Sequence, residues 1–506
     1  MNSASEVPTP TPISPAAPAH TQLDGTLVRG LAWTAGMKWG AQIFSWASTL
    51  IVARLLNPED YGVVGMAAVY LGFANLISEF GVGTTVITLR DLAEEDIAQL
   101  NGFAVLLGIA GFLLSCVAAV PLGKFFKSPQ LPWVVVAMST TFLISSFQSV
   151  PAALLQRDLR FKLVSVIDGT KSFAMAFVAV VFAVLGFRYW TLVLAGVSSA
   201  VVGTALVLSQ RRHRIAMPRP SRLSHVLRFS WHVITGRISW YTYSNADFVV
   251  SGKLLGQDAL GAYTVAWNLA TVPVEKITGV LNSVTPALYS AVQQDKAALR
   301  RYMLTLLEGI GLVTLPLSVG IALVSREFVL VFLGTKWAAA ILPLMFLGFY
   351  ASIRSLVPII WAILNVVGDS AYSMWSSMAM AVVLPCAFLV GSHWGNAGIA
   401  AAWMIGFPIV GIPVTARVFR RIEMPWTEFF RVLMPAITGC LMMTAAVLGL
   451  KNFLPDSFSI GLRLALFVLA GAVAYILVAG SLSYSRRHAL KKAIALLRNR
   501  GASATP

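Results

Sequence analysis

Long apolar runs recur along this chain, broken at short intervals by charged or proline-bearing segments. A helix needs about 20 mostly apolar residues to cross roughly 30 Å of hydrocarbon. Runs of that kind lie at 31–53, 63–88, 101–121, 131–151, 168–186, 189–209, 229–252, 262–288, 302–324, 340–364, 371–391, 397–416, 429–450 and 461–483. The strict alternation of a membrane β-barrel is absent, and segments in lipid must satisfy their own backbone groups, so each run is expected to be a helix. The pattern predicts an all-α integral membrane protein with about fourteen transmembrane helices. Residues 325–337 form a shorter apolar piece, expected to be re-entrant or interfacial.

The pattern also repeats. Arg29–Gly62 slides onto Arg228–Gly261 without a gap, a shift of 199 residues. Arg29 meets Arg228, Lys38 meets Arg237, Ser45 meets Ser244 and Arg54-Leu55-Leu56 meets Lys253-Leu254-Leu255. Glu59 then meets Asp258, and Gly62 meets Gly261. Apolar matches between membrane helices mean little, but spaced charges inside greasy helices carry weight. Six helices separate the copies, so both lie the same way in the membrane. Parallel repeats of this kind place a transport site between the halves. The expected organisation is a Pro-rich disordered cytoplasmic tail at 1–26, one six-helix bundle at 27–210 and a basic cytoplasmic linker at 211–228. A second six-helix bundle follows at 229–421, then two C-terminal helices at 422–485 and a basic cytoplasmic tail at 486–506.

Composition sharpens this picture. Of 506 residues 57% are hydrophobic and 12% charged, and the mean hydropathy is +0.76. A soluble domain carries about 25% charged residues, so a soluble multidomain enzyme is excluded. Lys and Arg still outnumber Asp and Glu by 38 to 21. Twenty-three of the basic residues fall in loops and tails on the side of the N-terminus and nine on the other, which puts both termini in the cytoplasm. Most of the net +17 is therefore an orientation signal, and nucleic-acid binding is not needed to explain it. Leu490, Ala493, Ile494 and Leu497 recur at helical spacing among basic residues, the pattern of a helix on an anionic leaflet or of a solvated tail. Cys116, Cys386 and Cys440 stand far apart in apolar runs and give neither a zinc nor a disulfide pattern. The N-terminus lacks the basic region and apolar core of a signal peptide. No catalytic, metal or cofactor residues are expected, and no phosphate loop of an ATPase is present.

Ionisable groups inside spans are costly and mark candidate functional sites. The cations are Lys38, Lys171, Arg237, Lys276 and Arg354, with Arg431 at a span edge. The acids are Glu79, Asp168, Asp247, Glu275 and Glu308. The repeat sets Lys38 and Arg237 at matching depths on the two bundles, where they would suit an anion with two phosphoryl groups. Lys171 and Arg354 also admit snorkelling to the interface. Glu275 and Lys276 are consecutive, about 100° apart on a helix, and are not expected to be each other's main partner. Asp247 and Glu79 are candidates for carrying a coupling proton or for fixed ion pairs. The seventh span carries a polar stripe of Arg237, Tyr241, Ser244 and Ser251, with Asn245 at its border. Trp33, Trp39, Trp231, Trp240 and Trp267 are available to stack on sugars, or belong to the interfacial belt and core.

Ala53-Arg54-Leu55-Leu56-Asn57-Pro58-Glu59-Asp60-Tyr61-Gly62 resembles the first-loop signature of bacterial polysaccharide exporters in the multidrug/oligosaccharidyl-lipid/polysaccharide (MOP) exporter superfamily. So do Leu154–Phe161, Asn245–Asp247 followed by Gly252–Gly256 and Leu260–Tyr263, and Leu333–Trp337. The resemblance runs from about Leu27 to Tyr484 and is nearest the exopolysaccharide branch that includes the colanic-acid exporter. It implies fourteen helices in two lobes of six plus two, alternating access, and residence in the bacterial inner membrane. It further implies a flippase whose cargo is an oligosaccharide on undecaprenyl diphosphate, held in a cationic central cavity that fits Lys38 and Arg237; Lys171, Lys276 and Arg354, as in-span cations, are the further candidates to line it. Membrane lipids and the polysaccharide polymerase or export machinery are the partners it suggests. The alternatives are a drug or metabolite antiporter of the same superfamily, a peptidoglycan-precursor flippase, or a membrane-embedded polymerase or glycosyltransferase. The in-span cations argue against an organic-cation exporter, and the short internal loops argue against the enzymes.

Overall fold

A computed structural model describes residues 44–79, 82–88, 92–219, 238–455 and 457–482. Among the described residues every regular element is a helix. In order these are α1 (Phe44–Leu55), α2 (Pro58–Glu79), α3 (Val82–Thr88), α4 (Glu94–Phe126), α5 (Leu131–Arg157), α6 (Phe161–Val184) and α7 (Trp190–Gln210). After the linker come α8 (238–250, ending in one π turn, Ser251–Leu255), α9 (Gln257–Ala291) and α10 (Lys296–Leu323). The chain continues through α11 (Ser325–Phe328), α12 (Ile341–Val366), α13 (Ser370–Gly391), α14 (Gly395–Arg421), α15 (Trp426–Phe453) and α16 (Ile460–Leu482).

Nine stretches of the described residues are long and apolar enough to cross a membrane. One of them, Ala371–Arg421, holds both α13 and α14, joined by the tight turn Ser392–Trp394. The long helices α2 and α9 do not reach that apolarity, for a reason their packing makes plain: they lie against each other in the middle of the molecule. A helix facing protein and a cavity needs no continuous lipid-compatible surface. On one side of that pair α4 packs on α5, and α7 packs on both α5 and α6. On the other, α12 packs on α9, α10 and α14, α13 pairs with α14, and α10 carries α15 and α16.

Several helices outrun their apolar windows. α4 begins seven residues before its window, at Glu94, Glu95 and Asp96, acids that complement the positive end of its dipole. The linker, described as far as residue 219, lies extended along this extra length. Ala216 N–H donates to the Ala98 carbonyl (3.0 Å), Arg219 N–H donates to Gln99 Oε1 (3.1 Å), and Asn101 Nδ2 donates to the carbonyls of His213 and Arg214 (3.3 Å each). Gln99 and Asn101 are buried by this strand-like run, which leaves no room for a Cβ on Gly102. The piece at 325–337 is α11, a π turn (Val329–Leu333) and a 3₁₀ turn (Thr335–Ala340). It carries Trp337, wholly buried, into the molecule.

Candidate functional site

The first turns of α2 and α9 set the geometry. Gly62 lies so close to α9 that a Cβ would overlap the Gln257 carbonyl; Gly261 lies equally close to the Pro58 carbonyl of α2. The contact is reciprocal under the 199-residue shift, which maps Pro58 onto Gln257 and Gly62 onto Gly261. Two helices can approach this closely only where neither carries a side chain at the crossing. From that point the space between them is bounded by further elements.

Polar contacts seal the crossing. Arg54 Nη1 donates to the Val331 carbonyl (2.8 Å), and its repeat counterpart Lys253 donates to the Phe125 carbonyl and sits over the Phe125 ring. Each cation thus reaches a carbonyl in the opposite half. Trp337 Nε1 donates to the Ala53 carbonyl (2.8 Å), and Gln257 Nε2 to Glu59 Oε1 (2.9 Å). Glu59 and the buried Asp60 both receive Arg188, at 3.0 and 3.4 Å, while the amides of Asn57 and Tyr189 donate to Asp60. The acidic signature after α1 therefore ties the end of the crossing to its own half and to α9.

Further along, a cavity of about 330 Å³ opens between α2 and α9. α2 gives it a wall of small residues, Gly65, Ala68 and Val69. α8 contributes Trp240, Ser244, Asn245 and Phe248; α9 contributes Thr264, Trp267 and Asn268; α12 contributes Arg354. Tyr241 bounds this region without lining it, its hydroxyl donating to the Val69 carbonyl at 2.8 Å and its ring filling the space left by Gly72. Asn245 Nδ2 donates to the Tyr241 carbonyl (3.0 Å), leaving its oxygen toward the cavity face.

Arg354 is the cation the structure places here. Its Nη2 pairs with Glu275 at 2.9 Å and its guanidinium lies 5.1 Å above the Trp267 ring, while Nη1 is buried without a hydrogen-bond partner. The ring system beneath is built from Trp267, Tyr350, Trp403 and Phe407, with Tyr350 stacked on Trp403 at 4.8 Å. This aromatic floor and the Glu275 carboxylate hold the Arg354 guanidinium against the cavity.

Asp247 faces the other way, into the half formed by α8, α9 and α14, and is fully buried. One oxygen accepts from the Tyr263 hydroxyl (2.7 Å) and Trp403 Nε1 (2.9 Å); the other accepts from the Phe248 amide (3.0 Å). Among the described residues it has no cation, so the fixed ion pair is replaced by neutral donors. Ser251, two turns beyond Ser244, bonds Asn396 of α14 at 2.8 Å rather than extending the cavity stripe.

The remaining candidates are dispersed. Lys171 packs its stem on Gly203 of α7 and faces Asp168 at 3.9 Å, within one half. Lys276 is exposed next to Glu275. Lys38 and Arg237 lie outside the described residues, as does the side chain of Glu79. Among the described residues no group of three or more His, Cys, Asp or Glu is placed to hold a metal ion. Sequence reasoning passed over Thr264, Asn268 and the wall of α2. The signal was present: Gly62, Gly65, Ala68 and Gly72 recur at helical spacing, as do Thr264 and Asn268 four residues apart.

Comparison with known proteins places this geometry in context. The profile of a family described as polysaccharide biosynthesis protein matches residues 51–342, which include both helices of the crossing. The lipopolysaccharide biosynthesis protein WzxC of Escherichia coli is 24% identical over 316 residues, covering 60% of this chain and 63% of that protein, just under two thirds of its length. The succinoglycan biosynthesis transport protein ExoT of Rhizobium meliloti is 23% identical, covering 95% of this chain and 97% of its own. Among solved structures, the lipid II flippase MurJ in an inward closed conformation superposes with a TM-score of 0.68 over 89% of this chain and 99% of its own, at 12% identity. An inward-facing MATE family multidrug transporter of the MOP superfamily gives 0.60 over 76% and 94%, at 16% identity. These likenesses show the fold.

Proposed function

The chain belongs to the polysaccharide biosynthesis protein family, and from that premise we propose that it flips a lipid-linked oligosaccharide across the bacterial inner membrane. The observation that carries the reading is the cavity between α2, α8, α9 and α12, sealed at one end and holding Arg354 at its floor. In this reading the chain crosses the membrane fourteen times as two lobes of six helices plus two, with both termini in the cytoplasm. The excess of basic residues in the N-terminal-side loops supports that orientation. The sealed crossing then faces away from the cytoplasm, the arrangement of a carrier waiting to load from the inner leaflet.

The cargo is a repeat unit on undecaprenyl diphosphate. Lys38, Arg237 and Arg354 neutralise its diphosphate as it enters, and the polyprenyl chain stays in lipid alongside. A cation in low dielectric binds phosphate oxygens far more strongly than it would in water, provided its alternative partners are few. Glu275 is the resting counter-ion of Arg354. Asp247, buried among neutral donors, takes up and releases the coupling ion, because a carboxylate without a fixed cation gains most from binding one.

The test uses a producing strain whose own copy has been replaced. Lys38→Ala, Arg237→Ala and Arg354→Ala are each expected to abolish surface polysaccharide at unchanged membrane abundance, with lipid-linked repeat units accumulating on the cytoplasmic leaflet. Normal polymer output from the triple variant would overturn the proposal.

A further inference from the structure

The linker after α7 is docked more firmly than a plain tether needs. Gln99 and Asn101, both buried in α4, hold it by its backbone: the Arg219 amide donates to Gln99 Oε1, and Asn101 Nδ2 donates to the His213 and Arg214 carbonyls. The Ala216 amide donates to the Ala98 carbonyl, and Arg211 pairs with Asp158 of the turn between α5 and α6 at 3.3 Å. Most of these bonds use the linker's backbone, which leaves its side chains for another surface. His213, Ala216 and Pro218 are partly buried, while Arg212, Arg214, Ile215, Met217 and Arg219 are exposed.

The exposed row mixes charge with apolar bulk. Ile215 is 56% and Met217 82% exposed. In the neighbouring turn Leu159 is 65% exposed at a φ of 56°, where glycine would sit without strain. Arg160 and Lys162 are exposed around the same turn. Among the described residues Arg160, Lys162, Arg212, Arg214 and Arg219 have no carboxylate partner.

Depth decides what meets this row. The apolar run of α4 begins at Asn101, and α5 and α7 end their spans at Arg157 and Gln210. The linker's contacts on α4 run from Asn101 back to Ala98, about 5 Å of helix beyond that run. The polar layer of a bilayer is roughly 5–8 Å thick on each side. The row thus stands at headgroup depth, where arginines meet phosphates and apolar side chains reach the acyl boundary. Glu94, Glu95 and Asp96 stand further out along α4, on the aqueous side of the row. An acidic protein arriving from water meets those carboxylates first; an anionic lipid surface meets the cations first.

We propose that the docked linker, together with the turn between α5 and α6, is a binding strip for anionic phospholipid headgroups. Arg212, Arg214 and Arg219 take the phosphates, and Ile215, Met217 and Leu159 enter the layer beneath. The described bonds tie the strip to α4 and the α5–α6 turn, so it anchors the first half to one leaflet while the second half moves against it. The strip stands apart from the cavity and does not depend on what the cavity carries.

The test uses the full chain without Cys116, Cys386 and Cys440 and with Met217→Cys carrying an environment-sensitive fluorophore. It is reconstituted in nanodiscs of phosphatidylcholine alone or with phosphatidylglycerol. Phosphatidylglycerol is expected to blue-shift the emission and raise quenching by a lipid-borne quencher, and added salt to reverse both. Arg212→Gln, Arg214→Gln and Arg219→Gln change only exposed side chains, and each is expected to lower the ratio of lipid-embedded to aqueous label about fivefold. Gln99→Ala with Asn101→Ala frees the strip from α4 and is expected to remove the response with every arginine in place. Melting curves that match the parent in phosphatidylcholine show the variants folded. The same emission in both lipids would overturn the proposal and leave the strip facing the cytosol, open to an acidic protein segment. A response reproduced in phosphatidylcholine by dissolved glycerol phosphate would also overturn it, by assigning the arginines to free phosphate. So would a response that the triple arginine variant or the docking variant retains.

Discussion

Residues with the same formal charge do different work in this chain, according to what surrounds them. Asp247 and Asp369 are both carboxylates close to helix starts or turns, yet one meets only neutral donors and the other two guanidinium groups. Asp369, in the turn between α12 and α13, accepts from Arg417 and Arg421, each at 2.9 Å, and the hydrogen bonds to Arg421 and Arg417 hold its carboxyl down at about 2. Its folded value lies below the unfolded value of about 4, so its stabilisation is full above that pH and is lost as pH falls toward 2. Melting curves of purified protein should therefore show wild type more stable than Asp369→Asn at neutral pH, with the gap closing between about pH 4 and 2. A gap that stays constant across that range would remove the ion-pair explanation. For Asp247 the equivalent probe is Tyr263→Phe, which deletes one of three donors to a buried carboxylate. The expected loss is about 1–3 kcal/mol in unfolding free energy.

At the scale of helices, the contact between α2 and α9 decides which end of the molecule is shut. Gly62 and Gly261 permit it, and the paired reach of Arg54 and Lys253 into opposite halves secures it. Adding a methyl at a close backbone crossing costs about 1–3 kcal/mol when the chain must move to admit it. Gly62→Ala should thus weaken the sealed end selectively and leave each half intact. With a cysteine at Ala68 in a background lacking Cys116, Cys386 and Cys440, a membrane-impermeant maleimide added outside whole cells should label the Gly62→Ala form faster than its parent. Equal labelling rates at equal expression would mean the glycine crossing is not what closes this end. The same close approach explains why α2 and α9, though they fall in apolar runs of the sequence, are less apolar than the other long helices: their shared faces are small and polar because they meet each other and the cavity, not lipid.

For the whole molecule, the apolar periodicity and the distribution of 38 basic residues were enough to read an all-helical membrane protein and to set the expectations of a repeat and an orientation. These are properties the solvent imposes: hydrocarbon demands long apolar helices, and insertion sorts positive loops to one side. Attaching cysteine tags at residues 2 and 505 should give labelling only after the inner membrane is opened; labelling of either from outside would reverse the orientation. The sequence also singled out Arg354, Glu275, Asp247, Ser244 and Asn245 as polar groups too costly to be idle, because each was conspicuous against an apolar background. It could not pair them. Glu275 meets Arg354 from another helix 79 positions away, Asp247 meets Tyr263 and Trp403 in place of a cation, and Lys171 stays within one half. Nor did the apolar count reveal the wall of α2 or the free carboxamide of Asn268, since small residues and lone amides look ordinary in a membrane helix. Solvent chose the helices from composition alone, and the same composition carries the expected direction. The cavity, its donors and its sealed end arise from where those helices cross, and only packing between distant segments determines that.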